Sequence, residues 1–242
     1  MDGERRVVPA PWGVSDRVRY VPVRYYPMFM DLAGKPCLVV GAGAVAARKA
    51  RTLLACGARV TVVGERPAAG FRALERRGVV LRGRRFRAGD VRGKRLVVAA
   101  TDDPAVNAAV AAACRRHGVP VNAVDDPPNC DFIVPAVIER GDLVVAVSTG
   151  GKSPAAARLV KERVGALLGK EYAALVRLLG AARGRMKTAV PTQRARAAAW
   201  KRAARSGALE ALARGSTVEA GRLVRRCVEE ARPGGHARKE KT

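Results

Sequence analysis

The chain has 242 residues, enough to bury one full hydrophobic core and a smaller second one. Lys and Arg number 46 against 21 Asp and Glu, a formal net charge of +25, yet only 4% of the residues are aromatic and able to stack on bases. We therefore attribute the charge mainly to a compositional bias toward arginine, consider a nucleic-acid partner unfavoured, and expect the positive field to attract polyanionic small molecules.

The cysteines and the apolar segments exclude several other classes of protein. The five cysteines are widely spaced and no C-x-x-C pair occurs, so neither a zinc site nor a disulfide framework is predicted. No window of about 18 or more apolar residues appears, which argues against a membrane span. The first residues also lack the apolar stretch of a signal peptide. We expect a cytoplasmic protein with no membrane partner and no bound metal.

The first part of the chain leads up to a short buried strand. Residues 1–24 show no sustained periodicity and are predicted to form an N-terminal extension. Residues 25–32 are predicted to approach the sheet as an edge segment. The apolar run at residues 38–40 is long enough for one buried strand of a parallel sheet.

A glycine-rich turn follows this strand without a spacer. Gly41-Ala42-Gly43 leads directly into a helical pattern over residues 44–55. This context is typical of the G-x-G-x-x-(G/A) fingerprint that binds a dinucleotide, with Ala46 in the third small position. Gly41 permits the tight turn, Gly43 lets the backbone approach a pyrophosphate, and the start of the helix offers N–H groups to the phosphates.

The second strand ends beside a carboxylate at the position expected for ribose binding. Residues 59–63 are β-branched and predict a strand, and Glu65 follows it about 20 residues after the glycine turn. A carboxylate there accepts hydrogen bonds from ribose hydroxyls and repels a 2′-phosphate, which favours NAD over NADP. The neighbouring Arg66 complicates this, because an arginine can accept that phosphate. Alternatively, the glycines form a structural turn and Glu65 is a solvated loop charge.

Strands and helices continue to alternate, which predicts an α/β fold with a doubly wound, Rossmann-like parallel sheet. The further predicted elements are a short helix at 70–77, strands at 79–81, 96–100 and 120–124, and a helix at 105–116. Either Asp102 or Asp103 is expected to cap the second of these helices. Thr101 follows the fourth strand, at the carboxyl edge where open α/β sheets bind their ligands.

Two aspartates end the fifth strand at the same edge. A partly buried Asp125 or Asp126 carboxylate there could act as a general base beside a nicotinamide. The alternative is that one of the two caps the turn into Pro127 and Pro128. Both histidines, His117 and His236, lie away from these motifs, so a histidine-based metal site or a Ser–His–Asp triad is not predicted.

Beyond the sheet the pattern changes to a small α+β segment and then to helices. We predict strands at 132–138 and 143–147, forming a separate or an intersubunit sheet, and a helix over about 154–168. Residues 171–232 form a helical C-terminal region, with breaks near 180–191 and around Gly207 and Gly215. Residues 233–242 form a basic tail.

A polar turn precedes the helix at 154–168. Thr149, Gly150 and Gly151 can form a pocket for a carboxylate, although such a turn alone is more often a plain connection. Ser153 suits the N-cap position, with Pro154 at the first helical position.

Five blocks of sequence resemble one known family. They look like the precorrin-2 dehydrogenase/sirohydrochlorin ferrochelatase family, the N-terminal part of siroheme synthases, over about residues 25–202. The blocks are VVGAGAVAARK (39–49), AATDD (99–103), VNAVD (121–125), FIVP (132–135) and VAVSTGGKSP (145–154). The resemblance implies a short form with no methyltransferase domain.

This resemblance implies an activity and a domain order. The activity is NAD-dependent oxidation of precorrin-2 to sirohydrochlorin, in many members followed by insertion of ferrous iron, a transient substrate. The partner would be a second copy in an interlocked homodimer. The order is an extension (1–24), an NAD-binding Rossmann domain (25–131), a dimerisation domain (132–170), a helical domain (171–232) and a tail (233–242).

The same resemblance implies roles for individual residues. Asp125 matches the catalytic aspartate of the family, implicated in dehydrogenation and chelation. Thr149 falls where the family has a hydroxyl residue near the tetrapyrrole, in a turn that also holds Gly150, Gly151 and Ser153. The positions that match NAD contacts are Ala44, Val45, Glu65 and Arg66, beside Gly41, Ala42, Gly43 and Thr101.

A hypothesis of another class remains open. The Rossmann unit could serve as an NAD sensor in a regulatory protein, whose basic helical region associates with nucleic acid. The Asp125 block argues against it, because a sensor has no need of a carboxylate beside the nicotinamide.

Overall fold

The computed structural model describes residues 25–233. The predicted N-terminal extension and residues 234–242 of the predicted tail lie outside the described residues. The chain divides into two compact units, Met1–Val134 and Pro135–Thr242.

The first unit is built on a five-stranded parallel sheet, as the Rossmann-like prediction requires. The strand order is β3-β2-β1-β4-β5. Strands are therefore added on one side of β1 up to β3 and on its other side from β4 onward, which places a topological switch point between β1 and β4. In such sheets ligands bind outside the carboxyl ends of the strands at this switch point. The elements in chain order are β1 Pro36–Val40, α1 Ala44–Ala55, β2 Arg59–Val63, α2 Phe71–Glu75, β3 Val80–Arg82, β4 Leu96–Ala99, α3 Pro104–His117 and β5 Val121–Ala123.

Alternating side chains of the central strands fill a core on each face of the sheet. Cys37 and Val39 of β1 pack in the cluster that holds α1 and α2, while Leu38 and Val40 pack in the cluster that holds α3. All four side chains are buried, because helices cover both faces. This packing leaves the edges of the sheet as the exposed places where a ligand could bind.

The second unit combines a two-stranded sheet with helices. Antiparallel β6 pairs with β7, and Ala136 lies opposite Val147 in the register. The Thr192 hydroxyl caps the helix that follows it. The elements are β6 Ala136–Arg140, β7 Leu143–Val147, α4 Pro154–Leu167, α5 Lys170–Ala189, α6 Gln193–Ala204, α7 Ala208–Ala213 and α8 Thr217–Glu230.

Three sequence predictions about the elements are wrong in part. Residues 25–32 form no strand. The strand predicted at 132–138 begins only at Ala136. The predicted break from residue 180 is also wrong, since α5 runs through Gly180 and Gly184. Both glycines are exposed, whereas Met186 on the other face is fully buried. Packing of that face outweighs the helix-propensity cost of about 1 kcal/mol per glycine.

One buried carboxylate closes the connection between β3 and β4. Asp90 accepts hydrogen bonds from both terminal nitrogens of Arg84, at 2.6 and 2.9 Å, and from the N–H of Arg87 at 2.9 Å. Its side chain is 8% exposed. The hydrogen-bonded Arg84 guanidinium holds the pKa of the Asp90 carboxyl below its usual value.

We expect Asp90→Asn to lower the free energy of unfolding at neutral pH by about 1–3 kcal/mol, because these hydrogen bonds lose their charged acceptor. Since the native pKa lies below the unfolded value of about 3.9, the stabilisation is complete above that value. It is lost as the pH falls through the native pKa. In urea titrations, the difference in free energy of unfolding between wild type and Asp90→Asn should therefore be smaller near pH 3 than at neutral pH. Asp102→Asn, at an exposed carboxylate, should differ little at either pH, and an equal Asp90→Asn effect at both would contradict the prediction.

Candidate functional site

The turn after β1 requires a glycine at its first position. Gly41 has a φ of +112°, and a Cβ atom built on it would overlap the carbonyl group of Ala100. Its N–H donates to the Val63 carbonyl at 2.8 Å. The ends of three adjacent strands are thus drawn together at Gly41, which fixes the turn at the carboxyl edge of the sheet.

Gly43, in contrast, borders open space. It is the exposed N-cap of α1. Within residues 25–233, no side chain caps the helix there, and a Cβ built on Gly43 meets no atom within 4 Å. The N–H groups of the first turn, including those of Ala44 and Val45, therefore have no side-chain acceptor. An uncapped helix start with room above it suits a phosphate group, so these residues fit the pyrophosphate of a dinucleotide.

The segment after β2 is tied to the glycine turn. The N–H of Ala68 donates to the carbonyl of Ala42 at 2.8 Å. A Cβ built on Gly64 would lie 2.6 Å from the Cβ of Ala42 and 2.9 Å from its nitrogen. These contacts hold Glu65, the first side chain after Gly64, near the turn at the same edge.

Glu65 is not an isolated charge. The Nε of Arg85 lies 3.2 and 3.3 Å from the two carboxylate oxygens of Glu65. Both side chains are solvent-exposed, at 86% for Arg85 and 55% for Glu65. Arg66 is exposed as well. Sequence reasoning missed Arg85, because it is 20 positions away and is brought close only by the pairing of β2 with β3.

Thr101 is held by a buried asparagine that sequence reasoning also missed. Asn107 of α3 is 5% exposed, and its Oδ1 lies 2.8 Å from the Thr101 hydroxyl. Oδ1 also accepts the Thr101 N–H at 3.3 Å, while Nδ2 donates to the Thr101 carbonyl at 3.1 Å. Asp103 caps α3 by accepting from the N–H of Ala105 at 2.8 Å, which decides between the two predicted capping residues. Asn107 therefore fixes the position of Thr101 just beyond the end of β4.

We expect Asn107→Ala to destabilise the protein by about 2–4 kcal/mol, because it leaves the backbone N–H and C=O of Thr101 without partners in a half-buried position. Thr101→Val removes only the hydroxyl and should cost about 1 kcal/mol. Urea titrations of both variants would test this. An Asn107→Ala protein no less stable than Thr101→Val would contradict the prediction.

The two aspartates after β5 have different surroundings. Asp126 accepts a hydrogen bond from the Asn129 amide at 2.8 Å, so it is the aspartate that stabilises the turn. Asp125 makes no hydrogen bond or ion pair with any residue in the described part of the chain. Its carboxylate is exposed, which corrects the expectation of partial burial.

The backbone of Asp125 is unusual. With a φ of +58° it is the only non-glycine residue in the left-handed region among residues 25–233. The turn is closed by the N–H of Asp126, which donates to the Ala123 carbonyl at 3.3 Å. Backbone strain of this kind costs about 1 kcal/mol and is concentrated at functional sites.

Lys49 of α1 is a further candidate that the sequence analysis missed. Partial burial lowers the pKa of its ammonium, and the nearby Asp125 carboxylate opposes that shift. The proximity arises because Val124, next to Asp125, packs against the core cluster of α1. Cys130 supports the same turn, since its Sγ donates to the Ala123 carbonyl at 3.0 Å. Burial raises the pKa of this thiol, which keeps it protonated as a donor.

In the second unit, the turn before α4 is largely closed by its own hydrogen bonds. The Thr149 hydroxyl accepts the N–H of Ser153 at 3.1 Å, and Ser148 accepts the N–H of Gly150 at 3.0 Å. The Ser153 hydroxyl caps α4 through the N–H of Ala156 at 3.1 Å. Gly150 and Gly151 have φ values of +64° and +80°. The N–H groups of Gly150, Lys152 and Ser153 are thus used within the turn, whereas that of Gly151 has no acceptor among the described residues.

The predicted site residues fall into two groups. The structure brings Gly41, Ala42, Gly43, Ala44, Val45, Glu65, Arg66, Thr101 and Asp125 to the carboxyl edge of the sheet. The remaining group, Thr149, Gly150, Gly151 and Ser153, belongs to the second unit. Among residues 25–233, no cluster of three or more His, Cys, Asp or Glu side chains could hold a metal ion. No helix in this range is long and apolar enough to cross a membrane.

Two family models match consecutive parts of the chain. Residues 28–136 match a family described as "Putative NAD(P)-binding". Residues 140–167 match one described as "Sirohaem biosynthesis protein central".

Curated relatives and a solved structure agree with these models. The siroheme synthase of Methylococcus capsulatus is 46% identical over 201 residues, covering 83% of this chain and 42% of that protein. Siroheme synthase 2 of Aeromonas hydrophila is 44% identical over 188 residues, covering 78% of this chain and 40% of that protein. The chain thus spans less than half the length of these relatives.

The fold is also that of a solved structure entitled "SirC, precorrin-2 dehydrogenase". The TM-score is 0.65 at 23% identity, and the match covers 85% of this chain and 100% of that chain. The first unit accordingly has an NAD(P)-binding fold, and the chain belongs to the family that forms the N-terminal part of siroheme synthases.

Proposed function

We propose that the chain is an NAD-dependent dehydrogenase that oxidises precorrin-2 to sirohydrochlorin. Its relatives are named siroheme synthases, and the structure that shares its fold is named a precorrin-2 dehydrogenase. The observation that carries the proposal is the Asp125 carboxylate, which has no partner among residues 25–233 and follows β5 at the same sheet edge as the uncapped glycine turn.

The residues of the glycine turn would hold the cofactor. The N–H groups at the start of α1 bind the pyrophosphate, and Gly43 leaves room for its approach. Glu65 accepts hydrogen bonds from the ribose hydroxyls, which makes NAD rather than NADP the proposed cofactor. When bound, NAD supplies the hydride acceptor.

Asp125 would act as the general base. Oxidation of precorrin-2 removes one hydride and one proton, and the Asp125 carboxylate takes the proton. It is exposed and has no hydrogen-bond partner among residues 25–233, which leaves both oxygens available to a ligand. Lys49 lies close enough for the Asp125 carboxylate to oppose the lowering of the Lys49 pKa by burial.

We extend the proposal to the insertion of ferrous iron as a substrate. Insertion requires that two protons leave the pyrrole nitrogens, and Asp125 can accept them in turn. The many carboxylates of the tetrapyrrole match the positive charge of the chain. Thr149, Gly150, Gly151 and Ser153 are proposed to bind one of these carboxylates, with the Gly151 N–H as donor.

The assembly and location are part of the same proposal. We propose a homodimer formed through the unit that contains β6 and β7, because both strands of a two-stranded sheet have an open edge. Five free cysteines among the described residues suit a reducing cytoplasm.

The decisive experiment is an NAD-coupled assay with precorrin-2. The purified chain should produce sirohydrochlorin, followed by its absorbance, and NADH in equal amounts. Added ferrous iron should then convert the sirohydrochlorin to siroheme. Omitting NAD is the control and should abolish both signals. Absence of turnover, together with tight and salt-sensitive DNA binding, would contradict the proposal and favour an NAD-binding regulatory protein.

A further inference from the structure

An arginine from the third strand lies beside the proposed ribose-binding carboxylate. The parallel register of β2 with β3 pairs Val63 with Arg82, and the N–H of Gly64 donates to the Arg82 carbonyl at 3.1 Å. The chain segments that leave these two strands therefore run side by side. This brings Arg85 against Glu65, with both exposed to solvent.

Two neighbouring arginines differ in how they are held. Arg84 is occupied by Asp90, which takes both of its terminal nitrogens. Arg85 contacts Glu65 through its Nε atom alone, at 3.2 and 3.3 Å. Arg66 makes no hydrogen bond or ion pair within residues 25–233. Among the described residues, the Glu65 carboxylate is thus the only acid paired with Arg85, and Arg66 has no partner.

The geometry of the contact leaves both partners able to bind something else. A carboxylate has about four lone-pair sites, so Glu65 can accept the Nε–H of Arg85 and two ribose hydroxyls together. The terminal nitrogens of Arg85 remain free in the pair. Planar guanidinium groups of this kind bind phosphate through two parallel hydrogen bonds.

We propose that Arg85 determines cofactor specificity together with Glu65. In the pair, Arg85 positions the Glu65 carboxylate for the ribose hydroxyls, and Glu65 neutralises a guanidinium that would otherwise bind a 2′-phosphate with Arg66. The inference rests on the proposed use of NAD. It makes the preference for NAD depend on one carboxylate that opposes two arginines.

The test measures binding of NAD and of NADP by isothermal titration calorimetry, without any tetrapyrrole. Glu65→Gln should gain roughly tenfold in affinity for NADP relative to NAD, the size expected for new charge-assisted hydrogen bonds. The double variant Glu65→Gln/Arg85→Ala should lose that gain. Arg85→Ala alone should weaken NAD binding a few-fold without improving NADP binding. Melting temperatures should barely change, because exposed ion pairs add little stability.

Arg92→Ala serves as the matched control. Arg92 is exposed and lies shortly before Arg95. The N–H of Arg95 donates to the carbonyl of Pro36, the first residue of β1, at the edge of the sheet opposite to Glu65. Combined with Glu65→Gln, this variant removes the same charge and should keep the gain for NADP. If it abolishes the gain as Arg85→Ala does, the effect is only long-range charge, and the inference is wrong.

The outcomes separate this inference from the proposed function. If the double variant retains the gain in NADP affinity while the wild-type protein binds NAD, the inference about Arg85 is wrong and the proposed function stands. A wild-type protein that binds NADP as tightly as NAD likewise overturns the inference. A wild-type protein that binds neither dinucleotide overturns the inference and the proposed function together.

Discussion

Asp125→Asn is expected to lower kcat for precorrin-2 oxidation by roughly 10²- to 10⁴-fold, the usual contribution of a general base. The amide cannot take a proton at neutral pH. Asparagine also tolerates the left-handed backbone that Asp125 adopts, so the turn after β5 should persist. Steady-state kinetics, with NAD affinity measured by titration, would show a loss in kcat and an affinity within about twofold of wild type.

The matched control is Asp102→Asn, which removes an exposed carboxylate that follows β4 at the same edge. It should leave kcat unchanged. An Asp125→Gly variant adds a second check, since glycine relieves the positive φ and should be as stable as wild type while remaining inactive. Wild-type turnover in Asp125→Asn would exclude the proposed base.

The second large effect concerns the two glycines of the turn, which we expect to respond in opposite ways. Gly41→Ala should destabilise the protein by more than about 3 kcal/mol, because its Cβ overlaps the Ala100 carbonyl and its φ is +112°. Gly43→Ala should change stability by less than about 1 kcal/mol, because a Cβ there meets nothing within 4 Å. It should nevertheless weaken NAD binding roughly tenfold or more, since the methyl group enters the space proposed for the pyrophosphate.

Urea titration and calorimetry on the same protein samples would separate the two effects. Gly70→Ala, at another exposed glycine whose added Cβ also meets nothing within 4 Å, should affect neither quantity. Unchanged NAD affinity in Gly43→Ala would mean that the dinucleotide lies elsewhere. A stable Gly41→Ala protein would show that the turn can shift away from β4.

Local patterns were sufficient to predict the first βαβ unit. The helix predicted at 44–55 and the strand at 59–63 have the same bounds in the structure, because a glycine precedes the helix and β-branched residues fill the strand. The helix break expected from Gly180 was wrong for the opposite reason. There the outcome depends on which face of α5 is buried, and that is set by packing against other helices.

Residues of the candidate site that lie close together in the sequence could be proposed from their spacing. Residues that meet only through strand pairing or helix packing could not. Gly41, Gly43 and Glu65 were proposed from their spacing along one βαβ unit, and the structure brings them to one edge of the sheet. Arg85 and Asn107 could not, because each reaches its partner through strand pairing or helix packing. The positive φ of Asp125 was likewise invisible in the sequence, since a turn conformation depends on both flanking elements.

The close approach of Gly64 to Ala42 has a practical consequence for engineering. Any chimera that imports the β2–α2 loop from an NADP-dependent enzyme must splice after position 64, since even one added carbon there lies 2.6 Å from the Ala42 side chain. Grafts that begin at residue 65 can exchange the charge pattern freely. A graft that begins earlier and places a side chain at position 64 would push the imported segment against Ala42 in the glycine turn. It would thereby disturb the proposed cofactor site.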